Sequence, residues 1–165
     1  MFWQGNLLWQ VNDIPHQKNH LVAFSLATHA FVPLPAALAG ITMLTSLDAT
    51  PNLLAWTDEK TVWLWRAGDA KSQMLYQVPF VDHADFIRIA GDLVTWDAVD
   101  GPVAVDLRTS ALVRLTNYYG GRLTAGSMVL VVEPVGPLKS ASGPPMLRAS
   151  VIDAAKLPPA PSCRG

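Results

Sequence analysis

The residues of this chain that are best suited to chemistry are four histidines, His16, His20, His29 and His83. None of them forms the helical His-x-x-x-His or His-Glu arrangement that hydrolytic zinc sites use. His16 and His20 are four residues apart, but they follow Pro15 in a predicted loop-to-strand region. The segment 82–85, Asp-His-Ala-Asp, could hold a metal ion or act as an acid–base group, although such a segment is more typical of a polar loop. A solvated or hydrogen-bonded histidine is the simpler interpretation in each case.

Motifs of nucleophilic catalysis and of nucleotide binding are absent from the sequence. There is no Gly-x-Ser-x-Gly elbow, no phosphate-binding glycine-rich loop and no dinucleotide fingerprint, and Gly120-Gly121 predicts a turn. The one cysteine, Cys163, excludes an internal disulfide and a cysteine-based zinc site. We therefore expect no enzymatic activity, no metal and no cofactor.

Composition narrows the class of partner. Half of the 165 residues are hydrophobic and 15% are charged, as in a folded protein. Twelve basic and thirteen acidic residues give a net charge of -1 without charge runs, so nothing favours nucleic acid or an anionic membrane. We expect no signal peptide in this chain, because its start is not basic and offers no cleavage site. The stretch between Lys18 and Asp48 has no charged side chain, but it contains Pro33 and Pro35, and we expect no membrane span.

A repeat is the main organising feature. Four segments begin with a small polar residue, continue into an apolar run and start about 40 residues apart: 6–9 (NLLW), 52–56 (NLLAW), 92–96 (DLVTW) and 127–131 (SMVLV). A second run follows in each of the first three units: 24–28 (FSLAT), 105–109 (VDLRT) and, less closely, 64–68 (LWRAG). A third run closes each of them: 31–34 (FVPL), 74–77 (MLYQ) and 112–116 (LVRLT). Four short strands in a period of about 40 residues are typical of a propeller blade.

Strand composition supports an all-β fold. Residues 61–66 (TVWLWR) are apolar on both faces, as expected of a strand between two packed sheets. The pattern predicts strands at 52–58, 61–66, 86–90, 93–97, 103–107, 112–116 and 127–132. Leu34, Leu38, Ile41 and Leu44 fall at helical spacing, so a short helix is possible there, but the repeat favours a strand over 41–47.

Six tryptophans could suggest a carbohydrate platform. Trp56, Trp63, Trp65 and Trp96 lie within predicted strands, where packing in the core is expected, and Trp3 and Trp9 are the two predicted to be exposed.

The unit 86–117 resembles the TolB-like, WD40-like propeller repeats of bacteria. The resemblance rests on residues 89–97 (IAGDLVTWD), 105–109 (VDLRT) and 115–117 (LTN), with Val105 and Ser110 where the family has Tyr and Gly. It implies an all-β propeller segment of about four blades with four-stranded antiparallel sheets and incomplete end blades. The units are 1–34, 41–77, 86–117 and 121–153 of a domain 1–153, followed by a Pro-rich tail, 154–165. The first unit is predicted to begin at its second strand, and the last to lack a fourth. The resemblance would suit a periplasmic or extracellular location.

Loop lengths lead to a hypothesis about function. In a four-stranded meander, the loop after the second strand and the loop to the next blade leave the same end, and here these are predicted to be long: 12–19, 79–85, 97–101, 117–120 and 134–145. We therefore predict a binding or scaffold module that uses this end for a protein, peptide or glycan, with His83, Asp85, Tyr118 and Tyr119 as candidate binding residues. Arg108 and Ser127 lie in tight turns at the other end, and substitutions there are predicted not to affect binding of the partner. The alternative is the propeller portion of a larger hydrolase, either serine-peptidase-associated or glycan-active.

Overall fold

The computed structural model describes residues 1–16, 18–58, 60–80, 82–118, 121–136 and 146–161. It is all-β, with strands arranged in four antiparallel sheets in which neighbours in sequence are neighbours in space. The predicted all-β class and the antiparallel sheets are therefore confirmed.

The first sheet has four strands in sequence order, β1 (Phe2–Trp3), β2 (Asn6–Asp13), β3 (Lys18–Ser25) and β4 (Ala30–Val32). The prediction that the first unit begins at its second strand is therefore wrong. Gln4 and Gly5 both have positive φ, 48° and 78°, which gives the backbone of a tight hairpin turn and pairs Phe2 with Leu7.

The second sheet follows a one-turn helix, α1 (Ala36–Ala39). Its strands are β5 (Ser46–Ala49), β6 (Leu53–Thr57), β7 (Thr61–Arg66) and β8 (Gln73–Gln77). The strand predicted over 41–47 is wrong for residues 41–45. Pro35 starts the helical turn, its carbonyl accepts a hydrogen bond from Leu38 N at 2.8 Å, and burial of the Leu38 side chain holds the turn in place.

The third sheet matches the prediction to within two residues at every strand end. It consists of β9 (Asp85–Ala90), β10 (Leu93–Ala98), β11 (Gly101–Asp106) and β12 (Ala111–Arg114). Both inner strands are buried along their whole length, which explains why they read as continuous apolar runs.

The fourth sheet has three strands in the described part of the chain, β13 (Arg122–Ala125), β14 (Met128–Pro134) and β15 (Leu147–Asp153). A short 3-10 helix (Ala154–Lys156) follows β15, and Asp153 caps it by accepting a hydrogen bond from Ala155 N. The predicted loop 134–145 lies mostly outside the described residues.

The chain divides into two compact halves, Met1–Ile87 and Arg88–Gly165. From here on we call these halves unit 1 and unit 2, and they are distinct from the four repeat units of the sequence. The core of unit 1 combines side chains of the first two sheets, including Trp3, Leu8 and Trp56. Trp3 is 4% exposed and packs edge to face on Trp65 with ring centroids 5.9 Å apart, so its predicted exposure is wrong, whereas Trp9 is 38% exposed as predicted. The core of unit 2 contains Ala90, Leu93, Ala104, Val129, Val131 and Ala154.

No helix in the described residues is long and apolar enough to cross a membrane.

Candidate functional site

The predicted loop residues His83 and Asp85 lie close together in unit 1, between β8 and the start of β9. His83 Nε2 is 3.6 Å from Asp85 Oδ2, and about a third of each side chain is exposed. The backbone N–H of His83 donates to Asp82 Oδ1 at 2.8 Å, which fixes the loop. The pair is charged on both sides only when the imidazole is protonated.

Tyr118 belongs to unit 2, and Tyr119 lies outside the described residues. Tyr118 is half-buried; its N–H donates to Thr116 Oγ1 at 3.3 Å and its carbonyl accepts from Gly121 N at 3.1 Å. An added Cβ on Gly121 would be 3.0 Å from the Tyr118 ring, so the ring covers this glycine. The four predicted residues therefore do not form one described cluster.

The difference in loop length is smaller than predicted. Ala98 pairs with Gly101, so the connection predicted over 97–101 is reduced to the two residues Val99 and Asp100. Asp13 pairs with Lys18, which shortens the connection predicted over 12–19. The β7–β8 connection lies at the other end of the second sheet. It spans residues 67–72 and is itself a long loop.

Arg108 and Ser127, at which substitutions are predicted not to affect binding, make specific contacts in the structure. Arg108 donates from Nε to Asp106 Oδ1 at 2.9 Å and from Nη1 to the Leu157 carbonyl at 2.9 Å. Ser127 Oγ donates to Asp153 Oδ1 at 2.9 Å. Both side chains hold the C-terminal segment of unit 2. Substituting them would disturb the structure, so they are unsuitable as controls in a binding experiment.

A pocket of about 350 Å³ in unit 1 is the cavity with the best-defined chemistry. Its walls come from the β4–β5 connection, from β6 and β7, from the turn between them, and, through Ser72, from the β7–β8 connection. The lining residues are Ala37, Gly40, Ile41, Thr42, Met43, Trp56, Asp58, Trp63 and Ser72. The β4–β5 connection and the β6–β7 turn leave the same end of the sheet, which is the end that the sequence predicted for binding.

Two stacked indoles form one wall of this pocket. Trp56 and Trp63 are direct cross-strand partners, and their ring centroids are 6.3 Å apart with planes inclined by 17°. Trp56 is 3% exposed, whereas Trp63 is half-buried, and both residues line the cavity. The sequence pattern predicted only core packing for both, because the composition of an apolar strand does not show whether one end of it lines a pocket.

Asp58 supplies the negative charge of the pocket. Its Oδ1 accepts from Thr61 N at 2.9 Å and from Lys60 N at 3.2 Å, and its Oδ2 accepts from Trp63 Nε1 at 2.9 Å. Asp58 therefore holds both the turn and the Trp63 ring in position. In the described part of the chain, no lysine, arginine or histidine forms an ion pair with it, and no charged side chain other than Asp58 lines the cavity.

Unit 2 contains a buried ion pair. Arg122 Nε donates to Asp97 Oδ1 at 3.1 Å, its Nη1 donates to Thr95 Oγ1, and all three residues are less than 10% exposed. This arrangement links β10 to β13 between the third and fourth sheets, and pairing with hydrogen bonding is what allows both charges to be buried.

The described residues contain no group of three histidine, cysteine or acidic side chains arranged to hold a metal ion. No protein-family model, no curated protein and no solved structure matches this chain. The pocket and the residues around it are therefore the features from which a function can be inferred.

Proposed function

We propose that this chain is a non-enzymatic binding module, built as a segment of a TolB-like or WD40-like β-propeller. The proposal is supported by four antiparallel sheets that follow one another along the chain, each a meander in sequence order. It is also supported by the agreement between sheet boundaries and the repeat. In unit 1, side chains of neighbouring sheets share one core, as side chains of neighbouring blades do.

The observation that carries the binding function is the pocket beside Trp56, Trp63 and Asp58. Its volume of about 350 Å³ falls in the range of ligand sites, which is about 300–1,000 Å³. It combines aromatic surface with one oriented carboxylate, which gives both contact area and specificity. The partner is a protein, a peptide or a glycan that inserts one group into this pocket while the neighbouring loops contact the rest of it.

The first prediction tests this assignment with arrays of defined peptides and defined glycans probed with the full chain. We expect a subset to be retained, and we expect Trp63→Leu to abolish their retention because it removes the half-buried indole that lines the pocket. Trp9→Leu is the matched control, since Trp9 is in the same unit and 38% exposed but does not line the pocket.

Variants of the predicted loop residues define how far the binding surface extends. His83→Ala and Asp85→Ala test the predicted loop residues of unit 1, and we expect them to weaken retention. Tyr118→Ala and Tyr119→Ala test the predicted loop residues of unit 2 as a separate surface. Retention that Trp63→Leu and Trp9→Leu reduce equally, or the absence of any retained peptide or glycan, would contradict the proposed pocket function.

A further inference from the structure

We infer that the pocket in unit 1 binds an alkylammonium group, such as the methylated ammonium of a lysine side chain or a small quaternary amine. This inference rests on the proposed binding function and names the chemistry of the group that enters the pocket.

The charge of the lining favours a cation. Asp58 is the charged residue among the lining residues, and its three hydrogen bonds come from neutral N–H groups. Its negative charge is therefore oriented but not neutralised by a neighbouring side chain in the described region. Lys60, two residues away, directs its Nζ at the Phe80 ring, 5.2 Å from the centroid.

The aromatic wall adds to the same preference. The face of an indole carries negative electrostatic potential and attracts ammonium groups, with tryptophan the strongest of the aromatic side chains. The Trp63 Nε1 proton points at Asp58 Oδ2, which fixes the ring edge on the carboxylate, and the half-buried Trp63 is part of the cavity lining. Met43, more than half exposed, adds a flexible and polarisable thioether to the lining.

The same lining disfavours the other ligand classes. An anion would meet the Asp58 carboxylate without a cationic partner. A sugar ring needs several hydrogen-bonding groups around a flat aromatic face, and the polar lining side chains other than Asp58 are the hydroxyls of Thr42 and Ser72. A compact cation with an apolar shell matches both the carboxylate and the indoles.

The second prediction compares choline with 3,3-dimethyl-1-butanol, its neutral isostere of the same shape, by calorimetric titration of the full chain. We expect choline to bind and the isostere to bind about tenfold more weakly or not at all, because only the charge differs. Nα-acetyl-trimethyllysine amide is titrated in parallel. Tighter binding of this compound indicates a lysine side chain as the natural source, whereas tighter binding of choline indicates a free amine.

Matched variants locate the site. Asp58→Asn keeps an oxygen that can accept from Thr61 N but removes the charge, and it should weaken choline binding about tenfold. Asp69→Asn, at an exposed turn between β7 and β8, should leave choline binding unchanged. Thermal unfolding of each variant separates loss of the site from loss of the fold.

Two outcomes would overturn the inference: equal binding of choline and its isostere, or equal losses in Asp58→Asn and Asp69→Asn. If neither ammonium compound binds while arrayed ligands are still lost in Trp63→Leu, the inference fails and the proposed function remains. If both experiments are negative, the proposed function fails as well.

Discussion

Asp106 anchors the C-terminal segment of unit 2. It is 1% exposed, and both of its carboxylate oxygens accept hydrogen bonds: Oδ1 from Arg108 N and Nε, and Oδ2 from Arg108 Nη2 and from Ala160 N. The hydrogen bonds from Arg108 are the main cause that holds the pKa of Asp106 well below its ordinary value of 3.8, against the opposing effect of burial.

The third prediction is that Asp106 makes unit 2 sensitive to acid. A carboxyl whose pKa is lowered by folding stabilises the native state above its unfolded pKa, and this stabilisation is lost as the pH falls below that value. Urea unfolding should therefore show a loss of stability below about pH 4 that is steeper for the parent chain than for Asp106→Asn. Arg108→Leu leaves a buried carboxylate without its cation, so its deficit should be largest at pH 7 and should shrink towards pH 3. Parallel pH profiles for the parent chain and Asp106→Asn would contradict this role.

Single residues show where inference from the sequence stops. His83 and Asp85 were predicted as two candidate binding residues of a polar loop, and the contact between them, His83 Nε2 to Asp85 Oδ2 at 3.6 Å, was not predicted. The pocket of Trp56, Trp63 and Asp58 was not predicted, because it requires the cross-strand register and the path of the β4–β5 connection. The turn Asp58-x-x-Thr61 beside two tryptophans is the signal that could have indicated it.

Gly101, at the start of β11, has a φ of 108°, in the region that favours glycine. A Cβ at this position would overlap the Thr116 carbonyl oxygen and lie 3.0 Å from Tyr118 N, so the β12–β13 connection packs directly on it.

The fourth prediction is that Gly101→Ala destabilises the protein much more than Gly68→Ala. Gly68 has a similar φ of 96°, but no heavy atom lies within 4 Å of its hypothetical Cβ. Gly68→Ala should therefore cost about 1 kcal/mol from backbone strain alone. Gly101→Ala should cost about 3 kcal/mol, because its methyl group meets backbone that cannot move aside without shifting the connection. Urea unfolding measures both, and equal losses would contradict the packing argument.

Composition predicted the positions of buried strands correctly. It failed where the conformation of a turn determines where a strand begins. The runs of Val, Leu and Trp in the third sheet predicted its strands to within two residues, because a buried strand requires that composition. β1 was missed because its formation depends on the positive φ of Gln4, which a glutamine does not signal. The start of β5 was misplaced because Pro35 and the burial of Leu38 favour a helical turn that outweighs the repeat.

At the scale of the whole molecule, strand β9 determines whether the two units unfold together, because the boundary between them falls inside this strand. Its first residues belong to unit 1, where Ile87 N donates to Ser46 Oγ at 2.9 Å, and its last residues belong to unit 2. The same strand lies beside β10 in the third sheet. Loss of the third sheet would therefore release a strand on which a hydrogen bond within unit 1 also depends.

The fifth prediction is that the chain unfolds in one transition although it contains two compact units. Five of the six tryptophans, at positions 3, 9, 56, 63 and 65, are in unit 1, so in Trp96→Phe the tryptophan fluorescence reports unit 1 alone, while far-UV circular dichroism reports all four sheets. We expect both signals to give the same midpoint in urea, because a strand shared by two units couples their unfolding. Adding Gly101→Ala, which lies in unit 2, should then lower the midpoint reported by the tryptophans of unit 1. A fluorescence midpoint that stays fixed while the dichroism becomes biphasic would show instead that each unit unfolds by itself and that β9 transmits no stability between them.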